Sequence, residues 1–420
     1  MVAGLVAFMA YPAPLLAQGI DDAEVLKLLG SGRIAAARAT VMSLQPTQVD
    51  LILFEGRVLK ARGAFAPAIV NFREVLRRDP DHLAARRELA HTLLLNSQYS
   101  VARYHFDALM RIETDERFLR GHRYLLNVID QKRPFGVIGH FSLLPSTNVN
   151  RGTTNLTFDT SLGEFVIDPS SQAESGIGIR LGASGFVRLH ATRQSRLVLN
   201  WGVFATAYEA GDYGRQDASL ALSYERGTKL GKWYASPFVQ KHWADDDSDS
   251  DVLGLRFGVT HRLSKRTQLD LGLRHEERSY ASRNYQSGAF DAISLQFTHQ
   301  LKPSLSLNWG LGYEQSKPEA AHLKYEGVRA FAGLSKAWAG GLQTRFGFEA
   351  GTRGYGGDYP LTGARRDDRF YSVSVRFRNT RLQVGGVVPQ LSCTHLINQS
   401  NIAFFDYKAS ECQLSVSRNF

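Results

Sequence analysis

Two hydrophobic periods divide the chain. From residue 21 to 129 apolar residues recur at helical spacing; beyond residues 131–135 they alternate with polar ones, and they continue to do so to the end. In the run LSLNWGLGYE, Leu305, Leu307, Trp309, Leu311 and Tyr313 share one face, while Ser306, Asn308, Gly310, Gly312 and Glu314 share the other. The same period governs Leu269-Leu271-Leu273, Tyr371-Val373-Val375-Phe377, Leu253-Leu255-Phe257-Val259, Ile293-Leu295-Phe297 and Leu220-Leu222-Tyr224. About 14 such strands, each roughly 9 to 14 residues long, follow one another with no helix to cover the apolar face, and such a face calls for lipid. Their connections alternate short (TRQS, TKLG, SKR, KPS, AGG, NTR) and long (AGDYGR, ADDDSDSD, YASRNYQSG, EQSKPEAAH, YGGDYPLTGARRD, INQSNIAFFD). The first long connection runs from Pro145 to about Glu174. An outer-membrane barrel has this asymmetry, and an even strand number leaves both of its ends on the periplasmic side.

The helical part repeats with a period of 34 residues, which separates Pro46 from Pro80. Gly56, Leu59, Gly63, Phe65, Ala68, Phe72 and Val75 of one unit correspond to Ala90, Leu93, Ser97, Tyr99, Ala102, Phe106 and Leu109 of the next. This is the small-large-small order of a tetratricopeptide repeat, with two antiparallel helices per unit. A degenerate unit precedes Pro46, and DERFLRGHRYLLNVID (115–130) supplies a closing helix. Such an array either binds a polypeptide on its concave face or braces the rest of the chain. The fold class expected is therefore multi-domain: an N-terminal all-α tetratricopeptide-repeat array followed by an antiparallel transmembrane β-barrel of about 14 strands.

Composition adds an address. The apolar stretch from Val2 to about Leu16, with Ala17 ahead of a cleavage site, resembles a secretory signal peptide without its basic residues. The domains expected are a signal peptide at 1–17, a periplasmic repeat domain at 18–133 and an outer-membrane barrel at 134–420. Two cysteines, Cys393 and Cys412, fall where a hairpin around a loop at 398–406 would set them nearly opposite, so a disulfide is expected in an oxidising compartment. The net charge of +10 comes with no basic block and no aromatic RNA-binding motif, so no nucleic-acid partner is expected.

Candidate chemistry is sparse. Arg180, Arg256, Arg274, Arg345, Arg376 and Arg378 take the lumen-facing parity, together with Glu225, Asp270, Glu314 and Glu349. They either fill a wet interior in pairs or guide a client by charge. The acidic run Asp245 to Asp251 lacks the glycine and final glutamate of an EF-hand, so it solvates an outer loop, and no metal or cofactor is expected. Ser294 with His299, or Ser392 with His395, could in principle pair as nucleophile and base. No nucleophile elbow, HExxH or paired-carboxylate pattern accompanies them, so no enzymatic activity is expected.

A short repeat domain, then LLPSTNVNRGTTN (143–155), then a barrel of about 14 strands resembles the surface lipoprotein assembly modulators, the Slam family. The specific part is Pro145-Ser146-Thr147-Asn148-Val149-Asn150, similar to the Pro-Asp-Ser-Asn-Ile-Asn run that family carries after its first strand; Ser146 and Thr147 depart from it. Pro145, Asn148 and Asn150 are the matching positions. The resemblance implies transport: help for lipoproteins, or secreted haem- and metal-acquisition proteins, in crossing the outer membrane of Gram-negative bacteria. Its implied partners are the client, periplasmic chaperones, the barrel-assembly machinery and outer-membrane lipid, around a monomeric barrel. The alternative is a polysaccharide export channel with periplasmic repeats; a general porin needs no repeat domain.

The final strand, QLSVSRNF, sets Leu414, Val416 and Phe420 on one parity, expected toward lipid, with Gln413, Ser415, Ser417 and Asn419 toward the lumen. It must pair with the first strand, around 136–144, to abolish the sheet edges. Phe420 also resembles the signal read by the barrel-assembly machinery, with Arg418 breaking the row near the periplasmic rim, where it can snorkel.

Overall fold

The structure, a computed structural model, describes residues 22–192, 194–209, 213–244, 249–360, 362–382 and 387–419. The signal-peptide span 1–17, Phe420 and the acidic stretch 245–248 lie outside these. The chain forms two compact units, divided between Val75 and Leu76.

Seven helices come first: α1 (Asp22–Gly30), α2 (Ile34–Ser43), α3 (Gln48–Ala61), α4 (Phe65–Arg78), α5 (Leu83–Leu95), α6 (Tyr99–Ile112) and α7 (Glu116–Lys132). In the first unit Val25, Leu28, Leu29, Ala37, Val41, Phe54 and Val58 form one apolar cluster. Thr47 and Asp50 cap α3 reciprocally: the Asp50 amide donates to Thr47 Oγ1 (3.3 Å), and the Thr47 amide donates to Asp50 Oδ2 (2.9 Å). A Cβ on Gly56 would stand 2.7 Å from the Phe72 ring, so only glycine admits that helix approach. Gly63 and Ser97, equivalent by the 34-residue period, both end a helix at positive φ (78° and 58°). Ala68, Phe72, Ala102 and Phe106 are all buried. Among the described residues no helix is long and apolar enough to cross a membrane.

The strands are β1 (Phe135–Ser146), β2 (Thr157–Thr160), β3 (Gly163–Val166), β4 (Gly176–Ala191), β5 (Ser195–Tyr208), β6 (Arg215–Gly227), β7 (Gly231–Ala244) and β8 (Ser250–Arg262). They continue as β9 (Thr267–Tyr280), β10 (Gly288–Lys302), β11 (Leu305–Pro318), β12 (Tyr325–Ala337), β13 (Leu342–Asp358), β14 (Arg365–Asn379), β15 (Gln390–Ser400) and β16 (Tyr407–Asn419). All but β2 and β3 close one antiparallel barrel of 14 strands, in sequence order, with β1 between β16 and β4. Leu253, Leu255, Leu307, Trp309, Leu311, Tyr371 and Val373 stand exposed on its outside, as the period-two pattern requires of a lipid-facing wall. The barrel is of the outer-membrane kind: closure pairs every strand edge, and the apolar face needs lipid.

Four features differ from the sequence reading. The strands reach 17 residues in β13, because pairing continues past the apolar band toward the long loops. The first long connection contains a hairpin, β2–β3, turning at Gly163 (φ 113°). The connection after β14 is not a tight turn at NTR: pairing with β15 resumes only at Gln390↔Arg378, after Pro389, which has no amide hydrogen to donate. β15 also runs on to Ser400, and the last loop is shorter than 398–406, because Asn398 pairs with Tyr407 and its side-chain amide donates to the Phe405 carbonyl (2.8 Å).

Candidate functional site at the turn side of the barrel

The short connections lie at one end of the barrel, here the turn side, together with the longer β14–β15 connection, and the other long ones lie at the loop side. Helices α5 to α7 are tied to the turn side by charge and by backbone groups. Asp130, buried near the end of α7, forms an ion pair with Arg188 Nε (3.1 Å) on β4 and accepts from Arg196 Nη1 (2.9 Å) on β5, and Arg103 Nη1 on α6 reaches the same carboxylate. Arg196 turns its other nitrogen to Glu225 Oε2 on β6 (3.0 Å), which also receives Lys232 Nζ of β7 (3.4 Å). One carboxylate thus gathers three guanidiniums, whose planar forks suit shared carboxylate pairing. Arg188 also donates from Nη1 to the Arg133 carbonyl and from its amide to the Pro134 carbonyl (2.6 Å), so the chain is held on β4 as it leaves α7.

Three further ties reach other turns. Arg262, at the end of β8, donates to the carbonyls of Met110 (3.5 Å) and Glu113, setting a cation at the C-terminus of α6. The Ser304 amide donates to Asp81 Oδ1 (2.6 Å), and the Gly340 amide donates to the Arg77 carbonyl (2.7 Å). Within the helices, Arg87 forks onto the buried Glu113 (2.9 and 2.6 Å) and stacks on Phe118. His122 lies buried beside Phe106 and Phe118, and burial pushes its pKa below the usual histidine value; Arg87 adds to this and Glu113 opposes it.

Between α6, α7 and the turn-side ends of the strands lies a cavity of about 1410 Å³. Ten arginines and lysines line it, against five aspartates and glutamates. Its barrel side carries lumen-parity residues such as Arg188, Arg196 and Glu225, whereas Val187, Leu189 and Leu222 face outward.

The six arginines expected in the lumen divide into two kinds. Toward the loop side Arg180 pairs with Asp217 (3.6 Å) and Arg274 with the fully buried Glu276. At mid-height Arg256 stacks 3.9 Å over Phe238, while near the turn side Arg345 donates to Ser335 Oγ (3.0 Å) and stands opposite Arg376, with Arg378 beyond it. Among the described residues Arg256, Arg345, Arg376 and Arg378 form no ion pair. The expected carboxylates all have donors: Glu225 as above, Asp270 from Thr260 (2.7 Å), Glu314 from Arg353 (2.8 Å) and Glu349 from Arg329 (3.4 Å). Several inward aromatics lie over glycines of the neighbouring strand: a Cβ on Gly182 would meet Phe204 at 2.2 Å, and one on Gly254 would meet Phe238 at 2.4 Å. The rings therefore lie flat on the wall rather than across the lumen.

At the loop side the motif residues act as a staple. Asn148, fully buried, donates from Nδ2 to the carbonyls of Gly152 (2.8 Å) and Lys408 (3.0 Å) and accepts the Gly152 amide (2.9 Å). Asn150 donates to the Gln172 carbonyl (2.7 Å) and accepts the Glu174 amide (3.2 Å). Pro145 sits in β1 between the pairs Leu143↔Leu414 and Ser146↔Glu411 of the closing seam, where it lacks an amide to donate. Val416 pairs with Phe141, and Leu414 also pairs with Leu391 on β15. Cys393 and Cys412 stand directly opposite each other and are joined by a disulfide, on the parity of the exposed Leu391 and Leu414. Ser294 and His299, like Ser392 and His395, have opposite parity on one strand and so face opposite sides of the wall; His299 bonds Thr267, and His395 bonds Ser410. Sequence reasoning missed Asp130, Arg188, Arg196 and Glu276. Their pairing joins segments far apart in the chain, and only the arginine parity hinted at it.

The surface lipoprotein assembly modifier family profile matches residues 136–420, the whole barrel but its first residue. The chain belongs to that family. Its relatives include surface lipoprotein assembly modifier 2 of Haemophilus influenzae, 23% identical over 398 residues that cover 89% of this chain and 79% of that protein. Surface lipoprotein assembly modifier 1 of Neisseria meningitidis is 22% identical over 435 residues, 93% of this chain and 80% of that one. Among solved structures, a Pseudomonas aeruginosa FadL homologue aligns with 68% of this chain and 89% of its own, at 10% identity and a TM-score of 0.37.

Proposed function

We propose that this protein helps lipoproteins, or secreted clients of related chemistry, to reach the surface of a Gram-negative cell from the periplasm. The observation that carries this reading is the family match over the barrel, joined to a barrel whose turn side bears a helical region and a wide polar cavity. In this reading the protein acts as an assembly factor without catalysis of its own. Residues 1–17 direct export, residues 18–133 form tetratricopeptide repeats in the periplasm, and residues 134–420 form the barrel. The repeats meet the client or its chaperone, and the barrel-assembly machinery inserts the barrel as a monomer among outer-membrane lipids. Leu414 and Val416 belong to the strand that closes the wall, and Phe420, the residue after it, serves as the signal for the barrel-assembly machinery. The Cys393–Cys412 bond stiffens that closing hairpin, and Pro145, Asn148 and Asn150 fix the first outer loop to it.

The test is co-expression with a lipoprotein encoded beside the gene, read by its digestion with protease added outside intact cells. The lipoprotein is expected to be digested only when the protein is present; equal digestion with and without it, for every neighbouring lipoprotein, contradicts the reading. Deleting residues 21–130 is expected to abolish the difference while the barrel still assembles.

A further inference from the structure

The charges at the two ends of the lumen are settled differently. At the loop side each cluster carries its own counter-charge: Glu276 takes Arg274 and Arg278, Asp368 takes Arg366, Glu314 takes Arg353, and Asp217 takes Arg215 and Arg180. At the turn side Asp130 and Glu225 occupy Arg103, Arg188, Arg196 and Lys232, and the cations still outnumber the acids two to one around the cavity. Arg111, Arg226 and Lys229 line that cavity with exposed side chains, and among the described residues none of the three has an ion-pair partner. The excess continues inward: among the described residues Arg345, Arg376 and Arg378 have no carboxylate partner either, and Arg111 lies within electrostatic reach of Arg345. On α7, Asn127 lines the same cavity, and among the described residues its buried Oδ1, an acceptor, has no donor, which leaves it open to a backbone N–H of a bound chain rather than to a carboxylate.

Clustered unpaired cations around a cavity attract anions and repel other cations. The cavity exceeds the roughly 300–1,000 Å³ of small-molecule sites, so its size fits a stretch of chain rather than a metabolite. Apart from Ser195 and Arg226 at its rim, which share the outward parity of Leu222 and Tyr224, its strand side chains have lumen parity, so the cavity opens mainly inward rather than onto the lipid-facing wall.

We propose that the turn-side cavity receives an acidic, extended segment of the client polypeptide, whose carboxylates pair with Arg111, Arg226 and Lys229 before the chain meets the lumen arginines Arg345, Arg376 and Arg378. The inference rests on the export reading above and specifies how that reading begins. Asp130 and Glu225 keep the inner arginines in place meanwhile, so the receptor surface exists before any client arrives and costs little reorganisation on binding.

The experiment measures binding of a labelled short oligo-glutamate peptide to the purified full-length protein in detergent, by fluorescence anisotropy, with an oligo-glutamine peptide of the same length beside it. The glutamate peptide is expected to bind and the glutamine peptide not, with affinity falling between ~0.05 and ~0.3 M salt as screened charges require. The triple variant Arg111→Glu, Arg226→Glu, Lys229→Glu is expected to bind roughly tenfold more weakly or worse, three reversed charges each contributing up to ~1 kcal/mol. Lys324→Glu in an exposed loop on the other side is expected to leave binding unchanged. All these side chains are exposed, and heat-modified migration on gels confirms that each variant barrel is folded. Equal binding of both peptides, or unchanged affinity in the folded triple variant, overturns the proposal. So does displacement of the peptide by inorganic phosphate at equal charge concentration, which would mark a phosphate site. Binding is read without any export step, so its failure leaves the export reading standing, and a failure of export in cells leaves a binding result intact.

Discussion

The two ends of this barrel solve the same problem in opposite ways. Both must hold polar groups in a confined, partly dry space. The loop side closes on itself: Asn148 and Asn150 satisfy the backbone of the first loop, carboxylates pair with their nearest arginines, and a string of rings runs from Phe158 through Phe404 and Phe405 to Tyr359. The turn side leaves charge over. Asp130 anchors α7, Glu225 holds Arg196 and Lys232, and further cations face a cavity. A closed, compensated end suits a cover, whereas an uncompensated end suits a partner that brings the missing charge.

The largest expected effect comes from removing the anchor. Asp130→Ala leaves Arg188 without a carboxylate and removes one from Arg103 and Arg196, and breaking a buried ion cluster in this way costs about 3–5 kcal/mol. Amide hydrogen exchange is expected to speed up throughout α7 while the barrel strands stay protected. Unchanged protection would mean that the ties at Arg262, Ser304 and Gly340 hold the helices alone.

Next comes the staple. Asn148→Ala leaves the Gly152 and Lys408 carbonyls short of a donor and should cost about 1–3 kcal/mol. Proteolysis within 147–175 is the readout, with the barrel remaining heat-modifiable. If cleavage spreads to the turn side, the two ends are not independent.

A pH series separates the ends further. His122 stays neutral in the fold because burial lowers its pKa, whereas the unfolded chain takes up a proton near pH ~6.5. Below that value the unfolded state binds a proton the folded one refuses, so α6–α7 lose protection as pH falls toward the depressed folded pKa. The loss is at most about 1.4 kcal/mol per pH unit, and it is expected to vanish in His122→Phe. The smallest effect belongs to the exposed Arg365–Asp358 pair on the loop side (3.6 Å): Arg365→Ala should leave thermal stability within about 0.5 kcal/mol of wild type.

The barrel was legible because lipid enforces a strict period of two over every strand, and Leu307-Trp309-Leu311 needs no partner sequence to declare its face. The helices were legible through the 34-residue period; their packing residues Phe72 and Phe106 and the left-handed cap shared by Gly63 and Ser97 follow it. The lumen parity of the arginines could also be read. Their partners could not, because the Asp130 cluster is assembled from α6, α7, β4 and β5 by the closing of the fold. The hairpin at β2–β3 was hidden in a long polar connection, although Gly163 between Phe158 and Phe165 marks its turn. Beyond Asn379 the alternation misled, since apolar residues continue past the turn but Pro389 delays pairing until Gln390.

The central claim is that the client is engaged first at the turn side. The most direct measurement places a photo-crosslinking amino acid at position 226 or 376 on the turn side, or at 365 on the loop side, in cells that co-express a client lipoprotein. The account expects client cross-links at 226 and 376, appearing before those at 365 in a pulse of synthesis. Client that reaches the surface while cross-linking only at 365, or at none of the three, would contradict it.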